Sequence, residues 1–448
     1  MPANARKATV PRYHGKRWIR NGLPTGTEAW LHDGMPSVPK HQSPYQKVRR
    51  AVRDAVKHQP WQPPRRPIFF FADPHADAEA FNASLVASGG IRKSGPAFSD
   101  IALTKAGREA LFIIGGDCLD KGPSNLQLLY AIRQFMDTGA KVKLLGGNHD
   151  VRFLVGIRAM MLKRHTLTEH LFVRMGPKVI PLLKEIHDTY LDQKKALRGV
   201  PGDKRCRRTL FPSDRWFEEF PRAAAPLLSE PAIDRELTRM RRKVDGFEHA
   251  CQGAGLSMRQ VYATAQKCRD LFFARHGEFS WFVKRMQLTH RAGSFLFVHA
   301  GLDDRIAKKL EKHSIKHLNK LFRHQLHHHP FKFYYGPVAN TMRTKYRRVD
   351  LPLTSQGVER VYRQGIHAIV HGHRNRKHGQ RIMLRQGLLH FECDTTLDRN
   401  SRAKEGMRGY GAGVTIIDRR SHVIGVSTDY PNAKVFDPTA LLRPHRKR

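Results

Sequence analysis

Five short apolar runs in this chain each end in a set of carboxylate, imidazole or amide side chains, and nothing else in the sequence limits the fold as strongly. The central run, residues 110–114, reads as a buried strand that turns at Gly115-Gly116 into Asp117-Cys118-Leu119-Asp120-Lys121-Gly122. Residues 68–71 lead into Asp73-Pro74-His75, and residues 141–145 into Gly146-Gly147-Asn148-His149-Asp150. Residues 294–298 lead into His299-Ala300-Gly301, and residues 367–370 into His371-Gly372-His373. A side chain just past a buried strand is held at the rim of a sheet, where α/β proteins keep their sites. One Gly-Asp after a strand is common, but five ligand-type sets in one chain are not.

These residue types point to metal chemistry. Asp73, His75 and Asp117 suit one divalent ion, and Asn148, His299 and His373 suit a second. Asp117 is the natural bridge, because one carboxylate can hold two cations about 3.5–4 Å apart. Hard oxygen and imidazole ligands without thiolate favour Mn, Fe or Zn over copper(I) or an iron–sulfur cluster. Such a pair acidifies a bridging water and neutralises phosphoryl oxygens. His149, beside a ligand but left free, is placed to protonate a leaving oxygen as general acid. It needs a carboxylate to orient it and raise its pKa, and Asp120 is the candidate.

The chain has 448 residues, enough for one large domain with insertions or for two to three domains. It carries 80 basic against 39 acidic residues, a formal net charge of +41, which draws polyanions by long-range electrostatics and counterion release. That charge fits either a nucleic-acid partner or a basic enzyme. The five cysteines are scattered and show no CxxC spacing, which excludes a zinc knuckle and a disulfide framework and points to a reducing, cytoplasmic setting. No run approaches the roughly 20 apolar residues of a membrane span. No apolar segment follows the basic N-terminus, so a secretory signal is not expected, although residues 1–27 hold no acid and leave a transit peptide open.

Residues 1–66 read as a basic arm, extended to about residue 42, followed by an amphipathic helix that opens at Ser43-Pro44. Val48, Val52, Ala55 and Val56 recur there at helical spacing among basic residues, so one face packs on the body or enters a groove. Residues 88–107 read as a surface loop. Residues 151–292 read as a helical basic insertion between the enzyme-like segments 67–150 and 293–430, and 431–448 as a basic tail. The insertion clusters at Lys204–Arg208 and Arg239–Lys243 fit an anion grip or a solvated face. His324, His327, His328 and His329 sit apart from the strand ends and read as adventitious metal affinity. Arg343, Lys345, Arg347 and Arg348 mix with Tyr334, Tyr335 and Tyr346, a pattern that stacks and pairs with phosphates or packs as a loop.

Asp-x-His, Gly-Asp-x-x-Asp-x-Gly, Gly-Asn-His-Asp, His-Ala-Gly and Gly-His, in this order, resemble the calcineurin-like metallophosphoesterase superfamily. Asp120 before a basic residue and Gly122, with His299-Ala300-Gly301, most resemble its serine/threonine phosphoprotein phosphatase branch. The resemblance covers roughly residues 67–150 and 293–420. It implies an α/β sandwich of two mixed β-sheets flanked by helices, here with a large helical insertion. It implies first-metal ligands Asp73, His75 and Asp117 and second-metal ligands Asp117, Asn148, His299 and His373, with His149 as general acid paired to Asp120. The family's diesterases often carry Gly-His-x-His, but Asn375 stands at the last position, which points to the phosphatase branch. The phosphatases typically have arginine where this chain has Lys121, which holds a phosphate as a point charge without the bidentate fork. Arg343 is the candidate for their second phosphate-binding arginine, and Asp394-Thr395-Thr396 resembles a strand-end Asp-Thr-Gly. The implied activity is hydrolysis of phosphomonoesters on a phosphorylated protein or a nucleotide, with a metal-bridging hydroxide as nucleophile. The alternative is a nucleic-acid-binding phosphoesterase that acts on phosphodiesters, nucleotides or nucleic-acid ends.

Overall fold

The computed structural model describes residues 8–32, 43–191, 195 and 197–443. Its strands in chain order begin with β1 (Gly26–Ala29), β2 (Ile68–Phe71), β3 (Ile91–Lys93), β4 (Ile101–Leu103), β5 (Leu111–Ile114) and β6 (Val142–Leu145). They continue with β7 (Met286–Gln287), β8 (His290–Ala292), β9 (Phe295–Phe297), β10 (Ala368–His371) and β11 (Arg381–Arg385). The last are β12 (Leu388–Glu392), β13 (Gly413–Ile417), β14 (Val423–Ser427) and β15 (Asn432–Phe436). One sheet has the order β1-β15-β14-β13-β2-β5-β6-β7 and a second the order β11-β12-β10-β9-β8, while β3 and β4 pair with each other. β2, β5 and β6 run parallel, as do β9, β10 and β12, and the antiparallel β13, β14 and β11 make both sheets mixed.

Strand periodicity explains the layers. In β2 and β5 successive residues point to opposite faces. Ile68, Phe70 and Ile113 enter the core between the sheets with Phe295, Phe297, Val370 and Phe391. Phe70 and Phe297 meet there at 5.8 Å between ring centroids. Phe69, Phe71, Phe112 and Ile114 turn to the other face, under Phe81 of the helix Ala78–Ala87 and Phe135 of the helix Asn125–Asp137. Both faces are covered, so these strands read as unbroken apolar runs. Each fully buried ring contributes about 1.5–3 kcal/mol, which fixes the strand register and with it the residues that follow each strand.

Between β6 and β7 the chain is helical, with the long helices Glu230–Gly253 and Met258–Phe273 packing Met240, Phe247, Val261 and Phe272 into the core of that face. The helix Tyr45–His58 buries Val48, Ala51, Val52 and Ala55, so its apolar face packs on the body. Ser43 ties its entry to β11: the Ser43 N–H donates to the Ile382 carbonyl, and its Oγ accepts from Leu384 N at 2.9 Å.

Three stretches differ from the sequence reading. Within the expected extended arm, β1 pairs parallel with β15 and Trp30 is buried against Phe391 at 5.6 Å. One large ring supplies enough apolar area to dock a segment with no period of its own. Residues 1–7 and 33–42 of that arm lie outside the described residues. The 88–107 stretch is a hairpin, β3 with β4, followed by the helix Lys105–Glu109 capped by Thr104. In the expected tail, β15 completes the first sheet and the helix Pro438–Leu442 is capped by Asp437. Residues 444–448 of the tail lie outside the described residues.

Candidate metal centre

The five strand ends converge. Asp73 follows β2, Asp117 follows β5 and Asn148 opens the helix after β6, while His299 and His373 follow β9 and β10 of the facing sheet. Ligand atoms of Asp73, His75 and Asp117 lie within 4.8 Å of one another, as do those of Asp117, His299 and His373. Asp117 Oδ2 is 3.7 Å from His75 Nε2 and 3.4 Å from His299 Nε2. Asn148 Oδ1 is 3.3 Å from His299 Nε2. Two sets therefore share one carboxylate.

Hydrogen bonds decide which ring nitrogen is available. A carbonyl only accepts, so each imidazole nitrogen facing one must carry the hydrogen. His299 Nδ1 donates to the Gly115 carbonyl at 2.8 Å and His75 Nδ1 to the Leu119 carbonyl, which leaves Nε2 of both rings facing Asp117 as the atom that could take a cation in place of a proton. His373 Nε2 donates to the Arg343 carbonyl at 3.1 Å and leaves Nδ1 as its free lone pair. Backbone contacts of this kind orient metal-binding imidazoles. Asp73 accepts the His373 N–H on both oxygens, at 3.1 and 2.9 Å.

The donor set fits divalent cations. Asp73 and Asp117 are both buried. Burial first, then Asp394, with a smaller push from Asp117, holds the Asp73 carboxyl well above its usual range. Burial pulls the His299 imidazole down, but Asp117 and Asp73 outweigh it and hold it up at about 10. Buried like charges of this sort call for positive charge between them.

The backbone is bent to make the site. Asp73, His75, Asp117, Asp120, Lys121 and His373 have φ of 49°, 40°, 55°, 68°, 73° and 67°. Each left-handed non-glycine residue costs about 1–2 kcal/mol, and such strain gathers at functional sites. Asp150 offsets it: Oδ2 accepts from Asp117 N and Gly147 N at 2.8 and 3.0 Å, and Oδ1 from Cys118 N and Leu119 N at 2.9 and 3.0 Å. Close approach explains two glycines. A Cβ on Gly147 would lie 1.9 Å from Asp117 N, and one on Gly372 would lie 1.9 Å from Asp73 Oδ1. Gly372→Ala is therefore expected to displace the Asp73 carboxylate and weaken metal binding at least about tenfold, read by calorimetric titration with Mn.

Beside the ligand sets, His149 Nδ1 donates to Asp120 Oδ2 at 2.9 Å while Nε2 lies 3.9 Å from Asp117 Oδ2. Arg152 Nη2 donates to the same Asp120 oxygen at 2.7 Å. Burial lowers the His149 imidazole; Asp117 and Asp120 raise it without overcoming that, and Arg152 lowers it further. Asp120 thus orients the ring, whereas the expected net rise in its pKa is absent. Lys121 Nζ lies 2.6 Å from His75 Nε2, at the first ligand set. The Arg343 guanidinium instead lies over the Tyr334 ring, 5.5 Å from its centroid, and only its carbonyl reaches His373.

His371 turns away from both sets, with Nδ1 on the Gly372 carbonyl and its ring 5.3 Å from that of His390. Asn375 donates to Glu405. His324, His328 and His329 face one another, with ring centroids 4.9 and 5.3 Å from that of His324, but join no metal-holding group among the described residues. Of the insertion clusters, Arg207 pairs with Glu248 and Lys243 donates to the Arg174 carbonyl. Arg152 and the looping role of Asp150 escaped the sequence reading. The His149-x-x-Arg152 spacing on one helix face was the signal for Arg152.

Two mixed sheets thus bring Asp/His sets that could hold metal ions together at their facing strand ends. The family model described as calcineurin-like phosphoesterase matches residues 66–229, the segment that holds Asp73, His75, Asp117, Asp120, Asn148 and His149. No curated protein matches the sequence. Among solved structures, a cold-active protein tyrosine phosphatase is similar at 13% identity and a TM-score of 0.41, covering 83% of this chain and 78% of its own. Another, from a psychrophilic Shewanella species, shows 11% identity and a TM-score of 0.39 over 83% of this chain and 80% of its own. A protein serine/threonine phosphatase from Saccharomyces cerevisiae shows 12% identity and a TM-score of 0.35 over 88% and 89%. No helix among the described residues is long and apolar enough to cross a membrane.

Proposed function

We propose that this protein is a dimetal-dependent phosphomonoesterase of the serine/threonine phosphatase type. Asp73, His75 and Asp117 hold one cation, and Asp117, Asn148, His299 and His373 hold the second. Bound there, two such cations neutralise the phosphoryl oxygens and acidify the attacking water. Mn, Fe or Zn suits these ligands.

The observation that carries this reading is the His149–Asp120 pair, with Nδ1 fixed at 2.9 Å and Nε2 aimed at the shared carboxylate. His149 gives the Nε2 proton of its imidazolium form to the leaving oxygen and becomes the neutral tautomer with hydrogen on Nδ1, which Asp120 holds in place and orients. Lys121 binds a phosphate oxygen as a point charge, and Arg343 is the second phosphate contact once its side chain leaves Tyr334. Asn375, drawn to Glu405, supports the monoesterase branch, because it offers no imidazole at the diesterase position. The substrate is a phosphorylated protein or a nucleotide. The five cysteines are buried and free, which supports a reducing, cytoplasmic setting.

The test is hydrolysis of an aryl phosphomonoester and of the matching diester by the full chain, with Mn or with a chelator. Monoester turnover that needs Mn and exceeds diester turnover by about tenfold or more is expected. A dominant diesterase activity, together with nucleic-acid binding of steep salt dependence, would move the assignment to the nucleic-acid phosphoesterase.

A further inference from the structure

A cavity of about 370 Å³ lies on the flank of the metal centre. One wall is the insertion helix Glu230–Gly253, and the opposite wall comprises the helices Pro330–Tyr335 and Pro337–Arg343. It touches the site through Arg343, which lines the cavity with its side chain and holds His373 with its carbonyl.

The lining is unusually cationic: Arg174, Arg235, Arg239, Arg305, Arg343 and Arg347 face one space with only two carboxylates. Both carboxylates are already engaged. Glu236 is paired with Arg174, and Asp350 takes Arg347 as well as the backbone N–H groups of Lys345 and Arg347. The guanidinium groups of Arg235, Arg239 and Arg343 make no hydrogen bond or ion pair among the described residues. Guanidinium groups converging on one space repel unless an anion joins them, and their planar forks match phosphate oxygens. Neither of the two tyrosine rings that line the cavity is a free base platform, and Tyr335 is held by His170 at 2.8 Å. Tyr334 already carries Arg174 at 5.3 Å and Arg343 at 5.5 Å from its centroid. A compact anion therefore suits the cavity better than a nucleobase.

We propose that this cavity binds a second phosphate of the substrate, so that the protein prefers bis-phosphorylated substrates. One phosphate lies at the metal centre, where Arg343 is its second contact, and the other lies at Arg235 and Arg239. The substrate preference rests on the phosphomonoesterase reading above, whereas the anion site does not.

The full chain with Mn is assayed on propyl phosphate and on the bisphosphates of propane-1,3-diol and hexane-1,6-diol. At least one bisphosphate should exceed propyl phosphate in kcat/KM by about tenfold, mostly through KM. The variant R235Q/R239Q, with one half-buried and one exposed site, should bring the ratio to about one and leave propyl phosphate turnover within about twofold. Independently of turnover, pyrophosphate binding to the chelator-treated protein is measured by calorimetry and should weaken about tenfold or more in the variant. Pyrophosphate binding that is absent from the wild type, or unchanged in the variant, would overturn the anion site. Binding that weakens as expected without any bisphosphate preference would overturn the substrate assignment and leave a site for free phosphate. No turnover of any monoester would defeat the enzymatic reading and the substrate preference with it, while the calorimetric arm still decides the site.

Discussion

Asp117→Asn is expected to lower Mn-dependent turnover of an aryl phosphomonoester by about a thousandfold or more while leaving the protein folded. The carboxylate lies at the centre of the site: Oδ2 is 3.7 Å from His75 Nε2, 3.4 Å from His299 Nε2 and 3.9 Å from His149 Nε2. Its other oxygen accepts the His149 N–H at 2.8 Å and so ties the shared ligand to the residue proposed as general acid. Asparagine keeps the volume and one acceptor oxygen but replaces Oδ2 with an amide nitrogen that cannot bind a cation. It also removes one of two buried negative charges, which relieves the repulsion on Asp73, so the metal-free fold should not suffer. Metal content per chain should fall with activity. Turnover within about tenfold of the wild type, at wild-type metal content, would remove Asp117 from the bridging role.

How much of this was legible beforehand follows from the range over which each feature is encoded. Asp73, Asp117, Asn148, His299 and His373 each stand within a few residues of a strand whose apolar run is visible in the sequence, so strand and ligand are found together. The start of the helix Asn125–Asp137 is also encoded locally: Ser124 accepts from Gln127 N just where the apolar spacing of Leu126, Leu129 and Ile132 begins. What stayed hidden depends on distant segments meeting. β1 has no apolar alternation, and only its pairing with β15 and the burial of Trp30 make it a strand. The arginine cavity joins residue 174 to residues 235–239 and 343–347, a meeting that no local pattern announces. His371 and His373 are indistinguishable by type and neighbourhood, and a continued strand would put both on one face, but the left-handed φ of 67° at His373 turns the chain there, and only His373 reaches Asp117. Asp150 was read as part of a motif, but its task was invisible because its four partners lie in two separate turns.

That task gives the second large expectation. Asp150→Ala should lower the melting temperature by roughly 10 °C and abolish metal-dependent turnover, although Asp150 belongs to neither ligand set. The carboxylate is fully buried and accepts four backbone N–H groups, from Asp117, Cys118, Leu119 and Gly147. Alanine leaves those donors buried without partners, and each stranded donor costs about 1–3 kcal/mol, less than additively because the turns relax. Relaxation is itself the damage to function. Asp117 holds a left-handed φ of 55°, and without the two bonds at its own N–H and that of Cys118 the backbone is free to leave that conformation. Asp150→Asn separates the two effects. Its amide oxygen still accepts from two of the four N–H groups, but its NH2 group meets the other two, so its stability should fall between wild type and alanine. Differential scanning calorimetry of the metal-free proteins reads the stability, and Mn titration reads the site. An alanine variant that melts within about 2 °C of the wild type would mean that water satisfies these donors and that the turns hold their shape without Asp150.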